Sequence, residues 1–354
     1  MTGHDDSPAL QERVRQAIAD RAPVEIRGSG SLSFHGCPQR PARRIETLRH
    51  RGAIRHQPSE LIVTVRAGTP IAELRRQLMD THQMLAFDPP AFGPDSTIGG
   101  VTAAGLAGPR RPWGGAVRDN LLGVRLINGR GQILSFGGEV MKNVAGYDVS
   151  RLMAGAMGTL GLLLDLSFKL RPLPESEQTL VQETRLDEAL VRMRDWRNLP
   201  ANCTGLAWVD GRLYLRLSGE AEAVAVAARR VGGEPLAEAD AFWSALRDQR
   251  LDWFDDPRPL WRISLKPAAP QPPLDGDWLI EWNATRRWLK TDLPAATVRQ
   301  AIADGHATLF RAGNETTAER FPPLPAPLMQ LHRAVKRAMD PDGLFNPGRL
   351  YPDL

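Results

Sequence analysis

Between Gly93 and Gly161 the chain places 16 of its 32 glycines in about a fifth of its 354 residues. No other feature narrows the fold as much. Glycine loses more conformational freedom on folding than any other residue, so a dense cluster implies backbone held at positive φ or approached closely by something else. The stretch contains DSTIGG (Asp95 to Gly100), KNVAGYD (Lys142 to Asp148) and GTLG (Gly158 to Gly161), with strand-like runs LLGVRLI and QILSFGG around them. This combination predicts a backbone-lined cradle for a large anionic cofactor.

The length suits two domains, or one α+β body with an inserted cap. An apolar fraction of 42% and a charged fraction of 24% are ordinary for a globular chain. The sequence pI is near 9.4, yet the net charge is only +4 and the basic residues are scattered. Nucleic-acid binding uses a clustered basic stripe, so no nucleic-acid partner is expected; an acidic partner or an anionic membrane surface fits better. The first residues lack a signal-peptide pattern, and no apolar run approaches the roughly 20 residues that span a bilayer. The two cysteines, Cys37 and Cys203, are far apart. Two free thiols in a reducing cytoplasm are expected, with one disulfide left open. A cluster of iron and sulfur held by this chain alone would need about four cysteines.

Residues 9 to 21 carry Leu10, Val14 and Ile18 at helical spacing, and VEIR (Val24 to Arg27) reads as a short strand. It runs into RGSGS (Arg27 to Ser31), after which Gly36, Pro38 and Pro41 prevent a helix. A Rossmann glycine loop must open a helix, so this loop is a different device. ELIVTVRAG predicts a second strand, followed by a helix capped by Thr69 with Pro70 at its first position. DPPAFGPDSTIGG reads as an ordered loop. LLGVRLIN and QILSF form a hairpin about Gly129-Arg130-Gly131, and LLLDLSFKL a further strand before Pro172 and Pro174. The region from about 175 to 300 carries eight of the nine tryptophans. Its strand, turn at Asp210-Gly211, strand and helix suggest a small α+β cap. A last helix puts Leu328, Leu331, Val335 and Met339 on one face and stops at Asp340-Pro341-Asp342-Gly343.

Each motif has two readings. Arg27, Gly28, Ser29, Gly30 and Ser31 offer successive N–H groups as an anion-binding nest for a diphosphate, or make an ordinary glycine turn. Thr97, Ile98, Gly99 and Gly100 offer a hydroxyl and two unhindered amides, or a tight surface turn. Lys142, Asn143, Val144, Gly146, Tyr147 and Asp148 offer a cation, an amide and backbone for the polar edge of a ring system, or a helix start capped by Asn143.

In order, RGSGS, DPP, DSTIGG, KNVAGYD, GTLG and DPDGLFNPG resemble the FAD-linked oxidases that share the vanillyl-alcohol-oxidase (PCMH) type of flavin domain. The pattern covers about 1 to 172 and 339 to 351. DPPAFGP, RRPWGGAVRDNLLGVRLINGRGQIL, IEWNATRRW, GHATLFR and LHRAVKRAMDPDGLFNPGRLYP extend it: most of the chain is similar to the FAD-binding subunit of glycolate oxidase (glycolate dehydrogenase). The resemblance implies an α+β fold with an FAD-binding domain over 1–172, a cap over 173–320, and a tail over 321–354 that completes the flavin site. It implies that the first loop and the Thr97–Gly100 segment hold the diphosphate. Asp88 and Pro89 belong to the same site. Gly158, Thr159, Leu160, Gly161 and Leu162 lie along the adenine side, and Asn346 beside the isoalloxazine. It also implies a larger flavoprotein and an iron–sulfur protein as partner subunits, glycolate as substrate, and electrons passing toward quinone. Contact with the inner membrane would be peripheral, through those partners.

Some relatives attach FAD through a histidine in the first loop. Here Ser31 or Leu32 stands at that place and the nearest histidine, His35, lies beyond it, so FAD is expected to be non-covalent and His35 to be a surface residue. Related single-chain 2-hydroxy-acid dehydrogenases use cap histidines to bind a metal. None of the seven histidines lies between residues 83 and 305, so an imidazole-rich metal site is not expected. Carboxylates favour bidentate arginine, and Arg262, Arg286, Arg287 and Arg311 are candidates. With 40 arginines against five lysines, arginine alone carries little information. Glu281, between two tryptophans, is either a general base or a strand residue facing solvent, the second being favoured. No catalytic residue is assigned; Lys142 is the candidate for tuning the flavin. The alternatives are a self-sufficient metal-free 2-hydroxy-acid dehydrogenase, a non-catalytic flavin scaffold and a sugar oxidase.

Overall fold

The short strand Val24–Arg27 is the seam of the first half of the molecule. It pairs in parallel with Arg43–Glu46 on one edge. On the other edge the end of the chain returns: Val24 donates to the Leu344 carbonyl at 2.9 Å and accepts from the Asn346 amide at 3.0 Å. The structure, a computed structural model, describes residues 3–38, 43–138, 148–196, 203–313 and 319–354. The chain divides into two compact units. The first contains Met1–Ala107, Gly115–Leu173 and Pro323–Leu354; the second contains Gly108–Gly114 and Pro174–Pro322.

In the first unit an antiparallel five-stranded sheet runs in the order 53–57, 62–66, 162–169, 121–127, 133–137. Its central strand, Leu162–Lys169, is buried at seven of eight positions. That explains its near-continuous apolar run, because both faces are covered. The helix Ser7–Ala19 buries Leu10, Val14 and Ala17 against Val24, Ile45, Ile127, Leu162, Leu164, Leu344 and Phe345. Burying each of the larger of these side chains stabilises the fold by roughly 1.5–3 kcal/mol, so the returning tail is part of this core.

Two local details depart from the sequence reading. Thr69 does not cap the helix Ile71–Met79; its hydroxyl donates to the Arg66 carbonyl at 2.7 Å and accepts from the Gly52 amide at 2.8 Å, and Pro70 stands at the cap. The loop ending in DSTIGG turns helical at Ile98–Ala104, capped by Thr97, whose Oγ1 accepts from the Gly100 amide at 3.1 Å.

The second unit is built on an eight-stranded antiparallel sheet, ordered 234–235, 176–183, 212–219, 203–209, 277–281, 286–290, 260–265, 305–311. The helices Leu186–Asp195 and Ala221–Val231 supply Ala189, Met193, Val224 and Ala227 to one core cluster. Val298 of Ala295–Gln300 joins a second, with Trp261, Ile263 and Leu289. Asp210 (φ 50°) and Gly211 (φ 75°) form the predicted tight turn. Gly108–Gly114 joins this unit because Arg110 pairs with Glu177 and the Trp282 indole donates to the Gly108 carbonyl at 2.9 Å. All nine tryptophans therefore fall here.

Candidate functional site

Four separated segments of the first unit converge on a cleft of about 940 Å3, counting its open mouth. The segments are the loop after the first strand, Ser96–Ala104, Met157–Gly161, and the tail at Asn346 and Arg349.

The first loop supplies the unsatisfied donors. Gly30 sits at φ 80°, where a side chain is strained, and its carbonyl accepts from the Ser33 amide at 2.9 Å. Ser31 Oγ accepts from Ser96 Oγ at 2.9 Å, tying the loop to the next segment. The amides of Gly28, Ser29, Gly30 and Leu32 donate to no acceptor among the described residues. The Arg27 guanidinium folds back against Gly30, where a Cβ would run into it, and pairs with no carboxylate among the described residues. Successive free amides beside an uncommitted guanidinium form an anion-binding concavity.

The Thr97–Gly100 segment works differently from its sequence reading. The Gly99 amide donates to the Ala67 carbonyl at 2.8 Å and the Gly100 amide to Thr97 Oγ1, so both are committed. Their lack of side chains serves close approach instead. A Cβ on Gly99 would lie 2.6 Å from the Ala67 carbonyl oxygen, and one on Gly28 would lie 2.5 Å from Thr97 Oγ1. The end of the helix Ile98–Ala104 is locked to the third segment, since its Thr102 and Ala103 carbonyls accept from the Gly155 and Met157 amides at 3.1 and 2.7 Å.

The tail fixes the other walls. Asn346 Oδ1 accepts from the Ile26 amide at 2.7 Å, and its Nδ2 donates to the Met157 carbonyl at 2.6 Å. A Cβ on Gly158 would lie 2.6 Å from that Nδ2. Arg349 donates to the carbonyls of Leu32, Ser33 and Cys37 at 3.0, 3.2 and 3.1 Å, holding the first loop in shape. Behind the cleft, Lys336 donates to the Thr159 and Phe345 carbonyls and to Asp340 Oδ2, each at 2.7 Å. Burial lowers the Lys336 pKa, with Asp340 acting in the opposite direction.

Arg27, Gly28, Ser29, Gly30, Ser31, Thr97, Gly99, Gly100, Gly158, Gly161 and Asn346 thus line one cleft. Ile98, Thr159, Leu160 and Leu162 are buried in the core behind it. Asp88 and Pro89 stand apart from it: Arg75 lies 3.9 Å from the Asp88 carboxylate and donates to the Pro89 carbonyl, and Pro90 reaches the wall instead. Asp148 is an exposed helix cap that accepts from the Arg151 amide at 3.1 Å. Lys142, Asn143, Val144, Gly146 and Tyr147 lie outside the described residues. His35 is not at the surface. It is 2% exposed and lines the cleft, because Arg349 draws the end of its loop inward. Sequence reading missed Leu32, Ser33, Ser96, Met157 and Arg349; only the serine-rich spacing of the loop hinted at any of them.

In the second unit Glu281 does not face solvent. It is 1% exposed, and its Oε1 accepts from the Trp288 indole and from Arg286, both at 2.5 Å. Arg287 is spent on the carbonyls of Ala269, Pro270 and Ala284 at 2.6, 2.8 and 3.2 Å. Among the described residues no three His, Cys, Asp or Glu side chains are grouped so as to hold a metal ion. No helix among them is long and apolar enough to cross a membrane.

Residues 5–137 match the family model of an FAD binding domain. The cradle fits that cofactor at its diphosphate, which would take the free amides and the guanidinium of residues 27–32. In fold, the chain resembles alkyldihydroxyacetonephosphate synthase, with a TM-score of 0.67 at 14% identity over 98% of this chain and 75% of that one. The glycolate oxidase subunit GlcD of Bacillus subtilis is 32% identical over 46% of this chain and 34% of its own length. The glycolate oxidase subunit GlcE of Escherichia coli is 45% identical over 99% of both chains. A chain matched end to end at that level, with an FAD binding domain at its head, belongs to the GlcE family of glycolate oxidase subunits.

Proposed function

We propose that this chain is the smaller FAD-binding subunit of an assembly that oxidises glycolate to its 2-oxo acid. The observation that carries the reading is the end-to-end match to a glycolate oxidase subunit, joined to a cleft whose donors suit FAD. Bound there, FAD supplies the acceptor for the two electrons leaving the hydroxy acid. The chain's own residues bind and orient. The amides of Gly28, Ser29, Gly30 and Leu32 and the Arg27 guanidinium take the diphosphate. Thr97 and the glycines beside it let backbone approach, while Asn346 and Arg349 hold loop and tail in register. The cofactor is held without a covalent bond. The partners are a larger flavoprotein and an iron–sulfur protein, through which electrons leave toward quinone. The assembly works in the cytoplasm, peripheral to the membrane.

The test is reconstitution. Purified chain, partner subunits and both together are given glycolate and a dye acceptor under anaerobic conditions. Turnover by the assembly that drops at least about a hundred-fold when this chain is omitted is expected, a loss of the size seen when an essential catalytic element is removed. Full turnover without it contradicts the proposal. Bleaching of this chain's flavin by glycolate alone would favour the self-sufficient dehydrogenase.

A further inference from the structure

In the second unit the strand Leu260–Leu265 sets Arg262 opposite Trp288 on one neighbour and Thr308 on the other. Residues opposite each other in a sheet, and residues two apart along a strand, project to the same face. Arg262 therefore shares its face with Ser264, which lies opposite Arg286 and His306; Arg286 in turn lies opposite Glu281. Arg286 packs over the Trp282 ring at 3.4 Å and Arg111 over the same ring at 4.6 Å, while Arg262 lies 5.7 Å from the Phe310 centroid.

Glu281 serves Arg286 and Trp288. Arg262 has no hydrogen-bond acceptor and no carboxylate partner among the described residues. Burial, then the like charges of Arg286 and Arg111, pull its pKa down to about 10, so it stays charged at neutral pH. His306 is held below its usual range by burial and by Arg262. Arg262 is half-buried, so like charges beside it are only partly screened by water. The strand turn beside it is strained: Trp282, Asn283 and Ala284 all take positive φ, at 56°, 55° and 64°.

We propose that Arg262, with Arg286 and Arg111 around it, is a binding site for a small carboxylate within the second unit, and that Arg262 donates to the carboxylate directly. The planar fork of arginine matches a carboxylate in two parallel hydrogen bonds. The choice of a hydroxy-carboxylate among small anions rests on the function proposed above; the need for an anion does not.

Thermal unfolding and titration calorimetry of the purified full-length chain, with glycolate against chloride at equal ionic strength, test this. The wild type should bind glycolate saturably and unfold at higher temperature with it. Arg262→Met should weaken glycolate binding at least about ten-fold, as the loss of a charge-assisted pair does. Its unfolding temperature without glycolate should be unchanged or higher, because an apolar chain of similar length replaces an unpaired charge. Arg262→Lys should bind with intermediate strength, and Arg229→Met, on the exposed side of its helix, like the wild type. Wild-type glycolate binding in Arg262→Met, no saturable binding by the wild type, or a destabilised or unfolded Arg262→Met would each overturn the site. Flavin content, read in the same samples, separates the two claims: flavin without glycolate binding sinks this site alone, and glycolate binding without flavin sinks the proposed function alone.

Discussion

A few side chains decide the shape of the cleft in the first unit, and most of them act on backbone. Asn346 satisfies a buried amide and a buried carbonyl from two distant segments and does so at φ 41°, which asparagine tolerates better than most residues. Asn346→Ala should lose about 1–3 kcal/mol of stability by leaving both groups unpaired, and should lower FAD retention. Denaturant titration with flavin assay checks both; an unchanged midpoint would show the stitch to be dispensable. Gly99→Ala should cost about 1–3 kcal/mol, because its Cβ meets Ala67 backbone and not a yielding side chain. Its measured unfolding free energy should fall while Gly100→Ala, whose nearest neighbour is Thr97 Oγ1 at 3.1 Å, falls less. Glycine spacing made the cradle legible in the sequence. Arg349 and Lys336 were not legible: each is a long basic side chain whose role is to meet carbonyls from residues far along the chain, and no local pattern encodes that.

Secondary elements were read well where a period or turn signal was strong. The hairpin at Asp210-Gly211 and the buried strand Leu162–Lys169 are examples. The helix Ile98–Ala104 was hidden by its two glycines, which local propensity counts against a helix. The helix Ala326–Met339 shows the opposite failure. Its apolar stripe was legible, yet Leu328 and Leu331 are exposed, and Lys336 is its buried anchor. One element contact carries a pH signature. Glu177, on the strand Ser176–Glu183, accepts from Ser218 at 2.5 Å and pairs with Arg110. Burial alone would raise its pKa, but Arg110, Arg216 and Ser218 hold it below the usual 4.5. Its folded value lies below its unfolded one, so its stabilising effect is full above 4.5 and is lost as pH falls through the folded value. The stability gap between wild type and Glu177→Gln should therefore be open at neutral pH and close in acid. A gap that is constant with pH would show that the pairing does not act through charge.

At the scale of the whole molecule, two compact units divide the labour. The first gathers the glycine cradle and the returning tail; the second collects every tryptophan and guanidinium groups packed on their rings. The units divide between Leu173 and Pro174, and the return of Gly108–Gly114 to the second unit depends on Arg110 and Gly108 meeting partners in it. In the proposed function the first unit holds one FAD, non-covalently, in the cleft between the first loop and the tail. Its most direct test is the flavin stoichiometry of the purified chain, read from its visible absorbance before and after acid precipitation. One FAD per chain, released whole into the supernatant, is the expected result. A colourless chain that takes up no added FAD, or a flavin that stays with the precipitated protein, would contradict it.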